Sequence, residues 1–286
     1  MEVILGKRSG FCFGVTNAVE KTKQELKGLQ HVYCLGELTH NNQVMMELKQ
    51  MGLEVLGNLD NIYNSKVIIR AHGVEKQIYD QAIKQKIDLI DLTCPKVLNI
   101  HRLAEEYTKR GFYIFLISEQ DHPETVGTFS FCGDNKYLIQ KPQDVEPAIE
   151  KLINANINNL LIISQTTFSL KKFDEIVQAI TSKLNNNVNV VIEKSICRAT
   201  ELRQIETEEI SREVELMIII GGKNSSNTKK LYEISLKNCK NVLFMETVDE
   251  LNITYIRKFN KIGIMAGAST PKKIIDGVEK RICKCI

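Results

Sequence analysis

The sequence lacks the features of a membrane protein. No apolar run approaches the roughly 18 residues that a transmembrane helix needs. The first ten residues, MEVILGKRSG, show no charged segment followed by a long apolar run. We therefore expect neither a membrane span nor a signal peptide, and we predict a cytoplasmic protein.

A strong charge of either sign is also lacking. The chain carries 38 basic and 35 acidic side chains, so its formal net charge is only +3. This bias is too weak to favour nucleic acid or an anionic membrane as a partner. The chain contains neither a Walker A pattern nor a G-x-G-x-x-G pattern, so neither ATP nor NAD is indicated.

Short apolar runs alternate with helical patterns along the whole chain. The runs are continuous and rich in Val, Ile and Leu, which is typical of parallel strands covered on both faces. Predicted strands include VILG from Val3, VIIR from Val67, DLIDL from Asp88, YIFLI from Tyr113, LLII from Leu160, VNVVI from Val188, LMIII from Leu216 and IGIMA from Ile262. Predicted helices include residues 17–29, 42–51, 98–110, 171–184, 200–212 and 228–238. These patterns predict an α/β protein with mainly parallel sheets.

A strand, a cysteine and a helix follow one another three times. The cysteines are Cys12, Cys94 and Cys197, and each interval between them is close to one third of the chain. No linker rich in Gly, Ser or Pro separates the three parts, so we expect tight packing. We predict three similar lobes. Their predicted bounds are 14–95, 96–193 and 194–281, with an N-terminal strand and first cysteine loop at 1–13 and a tail at 282–286.

One cysteine per lobe suggests a shared metal centre. In a reducing compartment, metal binding or catalysis is a more common use of cysteine than a disulfide. Three thiolates that meet on a central axis would suit a zinc ion or an iron–sulfur cluster. The alternative from spacing alone is that Cys12, Cys94 and Cys197 are three unrelated core thiols.

Polar residues follow nearly every predicted strand, at the edge where open α/β sheets bind ligands. His40, His72 and His122 each stand directly after a strand. One such histidine is usually structural, but three at equivalent positions favour a site. The loops GGKNSSNT and GASTP each open a helix, whose free N–H groups and dipole bind anions. Plain N-caps are the alternative for these loops; with the histidines nearby, a phosphate or diphosphate is the better hypothesis.

Glu124 is the one carboxylate that directly follows a His and a Pro at a strand exit. Buried beside a metal cluster, it could donate a proton. The alternative is a first-turn Glu stabilised by the helix dipole.

These residues match a known family. The chain resembles 4-hydroxy-3-methylbut-2-enyl diphosphate reductase of the methylerythritol phosphate route to isoprenoids. The matching segments run in order from Ser9 to Pro271 and cover almost the whole chain. They are SGFCFGV, GELTHN-Q, RAHGV, TCP-V, DHPE–GT, SQTT, SIC-AT–RQ, GGKNSSNT and AGAST.

The resemblance implies three α/β lobes arranged pseudo-threefold around one central 4Fe–4S cluster with an open iron site. It also implies a role for each matched residue. The cluster ligands are Cys12, Cys94 and Cys197; the diphosphate-binding residues are His40, His72, His122, Ser225, Ser226, Asn227 and Ser269; the proton donor is Glu124, supported by Thr166.

The chain departs from the family pattern at three positions near the cysteines, namely Phe13, Asn99 and Arg198. None of these departures removes a ligand. They therefore bear on the fine properties of the site and not on the implied reaction. The remaining cysteines match no functional position. We interpret Cys34, Cys132 and Cys239 as core thiols, and Cys283 with Cys285 as a C-x-C tail.

The activity that the resemblance implies is reductive dehydroxylation of 4-hydroxy-3-methylbut-2-enyl diphosphate to isopentenyl and dimethylallyl diphosphate, with two electrons that enter through the cluster. A ferredoxin or a flavodoxin is the implied electron donor. Two alternatives stay open. One is a non-redox 4Fe–4S hydratase or dehydratase; the other is a zinc-stapled module that binds a phosphorylated ligand.

Overall fold

The computed structural model of the protein describes residues 1–28 and 32–284. Within these residues, twelve strands form three sheets, and each sheet has four parallel strands. The prediction of an α/β protein with three parallel-sheet lobes is therefore confirmed. In this part of the chain, no helix combines the length and the apolar character that crossing a membrane requires.

The bounds of the elements are as follows. The strands are β1 (Glu2–Leu5), β2 (Val32–Leu35), β3 (Leu53–Leu56), β4 (Lys66–Ile69), β5 (Asp88–Asp91), β6 (Tyr113–Ile117), β7 (Lys136–Ile139), β8 (Asn159–Ser164), β9 (Asn189–Ile192), β10 (Leu216–Ile220), β11 (Val242–Met245) and β12 (Lys261–Ala266). The helices are α1 (Phe13–Gly28), α2 (Asn42–Gln50), α3 (Lys76–Lys84), α4 (Pro95–Lys109), α5 (Pro123–Ser130), α6 (Val145–Asn154), α7 (Leu170–Lys183), α8 (Arg198–Glu213), α9 (Ser226–Asn238), α10 (Ile253–Ile256) and α11 (Lys272–Cys283).

The three sheets share one topology. The first has the order β3-β2-β4-β5 and the second the order β7-β6-β8-β9. The third, β11-β10-β12-β1, repeats this order with the N-terminal strand in the place of the fourth strand. Strand β1 reaches this position by pairing with β12, from Glu2 against Lys261 to Leu5 against Ile264.

Central strands are covered on both faces, as continuous apolar runs predict. All five side chains of β6 are buried. Phe115 and Ile117 enter one core cluster and Ile114 and Leu116 enter another, because successive side chains point to opposite faces of a strand. Strand β10 is divided between two clusters in the same way.

The chain forms two compact units. The first unit comprises Met1–Gln24, Glu37–Gly52 and Arg198–Ile286 and contains the third sheet. The second comprises Glu25–Gly36 and Leu53–Cys197 and contains the other two sheets. The lobe boundaries at 95/96 and 193/194 stay a prediction.

Candidate active site

Each of the three cysteines of the repeat immediately precedes a helix. Helix α1 begins at Phe13, α4 at Pro95 and α8 at Arg198. The carbonyl groups of Cys12 and Cys94 accept the first hydrogen bonds of α1 and α4, from Thr16 at 2.9 Å and from Leu98 at 3.0 Å. A helix N-terminus stabilises negative charge, so these positions suit a thiolate ligand.

The backbones of the same cysteines are tied to neighbouring strand exits. The N–H of Cys12 donates to the carbonyl of Ala268 at 3.1 Å, and that of Cys94 donates to Ala71 at 3.0 Å. The N–H of Cys197 donates to the carbonyl of Thr166 at 3.1 Å. All three cysteines are partly buried. A half-buried thiol on an anchored backbone is a suitable metal ligand.

Three other cysteines are buried in the cores, which confirms their interpretation as core thiols. Cys34, Cys132 and Cys239 are all fully or almost fully buried. Burial raises the pKa of Cys34 and of Cys132 to about 12, so both stay protonated and unreactive. Cys283 is exposed, and Cys285, the other half of the predicted C-x-C tail, lies outside the described residues.

Glu124 is a buried carboxyl group in the first turn of α5, with 2% of its surface exposed. The N–H of Thr166 donates to its Oε1 at 2.6 Å, and the Thr166 hydroxyl donates to its Oε2 at 2.6 Å. Burial raises the pKa of Glu124 to about 7, although the two hydrogen bonds from Thr166 act in the opposite direction. A carboxyl group with this pKa can donate a proton near neutral pH.

Thr166 binds both Glu124 and Cys197. Thr166 holds the carboxyl group with its N–H and hydroxyl, and its carbonyl accepts the N–H of Cys197. The sequence-predicted acid, its supporting Thr and one predicted metal ligand are therefore connected through a single residue.

His122 contacts the backbone of Glu124, and His72 contacts the His122 ring. His122 is the N-cap of α5, and its Nδ1 accepts the N–H of Glu124 at 3.2 Å. The neutral ring therefore carries its proton on Nε2, where it can donate to an anion. The His72 ring meets the His122 ring edge to face, with 5.5 Å between centroids. The structure thus brings His72, His122, Glu124 and Thr166 together.

A second group of predicted residues lies at the N-terminus of α9 in the first unit. Ser225 is the N-cap, and Ser226 and Asn227 are the first helical residues. Asn227 is only 3% exposed, and neither its amide nitrogen nor its amide oxygen has a hydrogen-bond partner among the described residues. Buried polar groups usually have partners, so this side chain is suited to a ligand.

The loop after β12 adds a third element to this group. Ser269 is buried, and its hydroxyl likewise has no partner in the described part of the chain. Thr270 donates to the carbonyl of Ile220 at 3.0 Å, which ties this loop to the exit of β10. A Cβ on Gly267 would lie 2.0 Å from Oγ1 of Thr228, so the loop packs closely against α9.

His40 lies in the same unit, next to the glycine pair after β10. A Cβ on Gly222 would come within 1.9 Å of the His40 carbonyl oxygen. Only glycine permits this approach. The first unit therefore contains Cys12, His40, Ser225, Ser226, Asn227 and Ser269, and the second contains Cys94, Cys197, His72, His122, Glu124 and Thr166.

Gln165 makes several hydrogen bonds near the candidate site, although it was not among the predicted site residues. Gln165 accepts the Ser118 hydroxyl at 3.0 Å and the Glu119 N–H at 3.1 Å, and its amide donates to Thr167 at 2.7 Å. Its only signal in the sequence was its place in the SQTT segment.

The three departures from the family pattern lie on helices α1, α4 and α8. Phe13 is 74% exposed. Asn99 accepts a hydrogen bond from Arg102 at 2.9 Å, and Arg198 is exposed. The contact between Asn99 and Arg102 involves no predicted ligand.

The sequence matches known proteins over almost its full length. The family model described as LytB protein matches residues 3–283. A protein of Alkaliphilus oremlandii named 4-hydroxy-3-methylbut-2-enyl diphosphate reductase is 39% identical over 285 residues, which is 99% of each chain. The equivalent protein of Aquifex aeolicus is 35% identical over 99% of this chain and 96% of its own.

Solved structures match as well. The E-1-hydroxy-2-methyl-but-2-enyl-4-diphosphate reductase of Plasmodium falciparum superposes with a TM-score of 0.88 at 28% identity, over 99% of this chain and 87% of that one. A second structure is described as (E)-4-hydroxy-3-methyl-but-2-enyl diphosphate reductase, the terminal enzyme of the non-mevalonate pathway. It gives a TM-score of 0.71 at 35% identity and covers 99% of this chain and all of its own. The chain belongs to the LytB protein family, as the sequence resemblance predicted.

Proposed function

We propose that the protein reduces 4-hydroxy-3-methylbut-2-enyl diphosphate to isopentenyl and dimethylallyl diphosphate. The relatives at 35–39% identity carry the name of this reductase. The observation that carries the proposal is the buried Glu124, whose pKa is raised to about 7 and whose carboxyl group is held by Thr166.

Cys12, Cys94 and Cys197 would hold a 4Fe–4S cluster. Three half-buried thiols at helix N-termini fit such a group, and three cysteines leave one iron without a protein ligand. When bound, the cluster would supply the electrons one at a time.

The diphosphate would be bound by the polar residues at the strand exits. The helix N-terminus at Ser225 offers N–H groups and the positive end of a dipole. The hydroxyl of Ser269 and the amide of Asn227 add buried groups that have no other partner among the described residues. His40, His72 and His122 add imidazole donors.

Glu124 would supply protons. The overall reaction takes up two electrons and two protons, breaks the C–O bond, and releases the hydroxyl group as water. One proton leaves with the water and the other is added to the allylic carbon skeleton. With a pKa near 7, Glu124 is protonated in a large fraction of molecules at neutral pH. Thr166 orients the carboxyl group through both of its oxygens.

We also propose a cytoplasmic location and a ferredoxin or flavodoxin as the electron donor. The location follows from the sequence, which has no apolar run of the length that a transmembrane helix needs. The electron donor is implied by the family resemblance.

The test starts with protein purified without oxygen. We expect about four irons and four sulfides per chain, a broad brown absorption band, and turnover of the hydroxylated diphosphate only when a reductant is present. Turnover without reductant would favour the non-redox hydratase. One zinc, no sulfide and no colour after anaerobic reconstitution would instead favour the zinc-stapled binding module.

A further inference from the structure

The loop that carries Cys12 is held by a buried arginine. Arg203 lies on α8 and is only 4% exposed. Its Nε donates to the carbonyl of Arg8 at 2.8 Å, and its Nη2 donates to the carbonyl of Gly10 at 2.9 Å. The planar fork of the guanidinium thus binds two carbonyls of one loop, a geometry that lysine cannot reproduce.

Glu206 binds the same loop through its N–H groups. Its Oε1 accepts the N–H of Lys7 and its Oε2 accepts the N–H of Arg8, both at 2.8 Å. Residues three apart on a helix lie on one face, so Arg203 and Glu206 form a pair directed at the loop. Between them they bind two carbonyls and two N–H groups in the segment that leads to Cys12.

The rest of the loop is restrained as well. Gly10 has a φ of +97°, which a residue with a Cβ rarely adopts. The Ser9 hydroxyl accepts the N–H of Ala266 at 3.1 Å, and the Cys12 N–H donates to Ala268 at 3.1 Å. The pair on α8 adds charged side chains to these restraints.

Burial of a guanidinium group opposes folding unless its donors are satisfied. Two donors of Arg203 are satisfied by carbonyl groups of this loop. The same loop carries Cys12, a predicted metal ligand. Helix α8 also begins at the residue after Cys197. Helix α8 therefore follows Cys197 in the sequence, and its side chains bind the loop that leads to Cys12.

We propose that Arg203 and Glu206 are positioning residues that hold the Cys12 thiolate in place for a bound cluster. They act through the backbone and do not touch the cluster or the substrate. The inference rests on the proposed function, because it assumes that Cys12 is a cluster ligand. Outer contacts that orient a metal ligand change metal affinity or activity by about 10- to 100-fold when they are removed.

The first experiment uses the iron-free full chain, so that it does not depend on the cluster. Amide hydrogen exchange is measured over residues 7–12 in wild type, Arg203→Met, Arg203→Lys and Glu206→Gln. We expect faster exchange at Lys7, Arg8 and Cys12 in Arg203→Met, and partial protection in Arg203→Lys. Arg212→Met is the matched control, because Arg212 is an exposed arginine on the same helix that pairs with Glu208. Unchanged exchange in a folded Arg203→Met protein would overturn the proposal.

The second experiment measures the cluster itself. The reconstituted proteins are compared for the rate of iron release to a chelator and for the paramagnetic resonance spectrum of the reduced state. We expect iron release about 10- to 100-fold faster in Arg203→Met and Glu206→Gln, with an altered spectrum, a partial rescue in Arg203→Lys and no change in Arg212→Met. Equal release rates and identical spectra would refute the positioning role. Wild-type protein that binds no iron would instead refute the proposed function, and the exchange experiment would still decide whether the pair holds the loop.

Discussion

Glu124 illustrates how burial changes the chemistry of one side chain. The carboxyl group lies at the N-terminus of α5, where the helix dipole favours its charged form. Burial outweighs this effect and raises the pKa to about 7. The sequence could place Glu124 after a His and a Pro, but it could not show that the side chain is buried or that Thr166 binds both of its oxygens.

The first prediction concerns turnover. Glu124→Gln should spare substrate binding and lower turnover by about 10²- to 10⁴-fold, because the amide keeps the shape and loses the proton. Steady-state kinetics and a substrate-binding titration would separate the two effects. Glu146→Gln, at an exposed glutamate that pairs with Lys183, is the control and should be fully active. Full activity of Glu124→Gln would refute the assignment of the acid.

The second prediction concerns stability and pH. The pKa of Glu124 is about 7 in the folded chain and 4.5 as its ordinary value, so the folded state holds this proton more tightly. The stability contributed by the protonated group is complete below pH 4.5 and is lost as the pH rises through 7. The unfolding free energy of Glu124→Gln, measured relative to that of wild type, should therefore increase by about 3 kcal/mol from acid to alkaline pH.

Urea unfolding of the iron-free proteins at several pH values would measure this difference. Glu146→Gln should follow wild type at every pH. A constant difference between Glu124→Gln and wild type would show that the pKa of Glu124 is not raised.

At the scale of elements, patterns identified central strands better than edge strands. The predicted YIFLI and LMIII runs correspond to β6 and β10, which are buried at every position. The edge strands β1, β5 and β9 were predicted, whereas the edge strands β3, β7 and β11 were not. Their side chains are mostly half-buried or exposed. An edge strand is stabilised by one neighbour, so its sequence needs less apolar continuity.

Two helix starts followed the rules for helix N-termini. The GGKNSSNT segment predicted a helix N-terminus, and Ser225 is the N-cap of α9. Helix α5 begins at Pro123, where proline is favoured. The ligand role of these N-termini could not be derived from capping alone, because a plain N-cap has the same sequence.

The third prediction concerns the close contact between the loop after β10 and His40. Gly222→Ala would place a Cβ 1.9 Å from the His40 carbonyl oxygen, so one backbone must move. We expect a loss of about 1–3 kcal/mol in unfolding free energy and a raised KM for the substrate. Gly28→Ala, where a Cβ would meet no atom within 4 Å, is the matched control. An unchanged KM in Gly222→Ala would show that the position of His40 is unimportant for binding.

Across the whole chain, the cysteines fall into two groups. Three of them share a place directly before a helix, and three others are buried in cores. Cys12, Cys94 and Cys197 precede helices and are partly buried, whereas Cys34, Cys132 and Cys239 lie in cores. Spacing along the chain suggested this division, and burial supports it.

The fourth prediction follows from that division. Cys12→Ser, Cys94→Ser and Cys197→Ser should each lose most of the iron after anaerobic reconstitution, and each should lose the stabilisation that a bound cluster gives to the folded state. Cys132→Ala should be less stable, because Cys132 lies in a core cluster, but should keep its iron. Iron analysis and thermal unfolding with and without chelator would measure both. Full iron content in any of the three serine variants would exclude that cysteine as a ligand.

The α/β class, the three similar lobes and the residues of the candidate site were all predicted from the amino-acid sequence. These follow from local patterns: continuous apolar runs for buried parallel strands, and polar residues at strand exits. The family resemblance added the roles of those residues, since nine ordered segments carry more information than any single motif.

The contacts between residues distant in sequence are visible only in the folded chain. The fold pairs β1 with β12, so the N-terminal strand completes the third sheet and all three sheets share one topology. It also sets Thr166 against Glu124 and Arg203 against the loop before Cys12. These contacts join residues 42 and 195 positions apart. No local pattern encodes such contacts, because they depend on how the strands are ordered within each sheet and on which helices pack beside them.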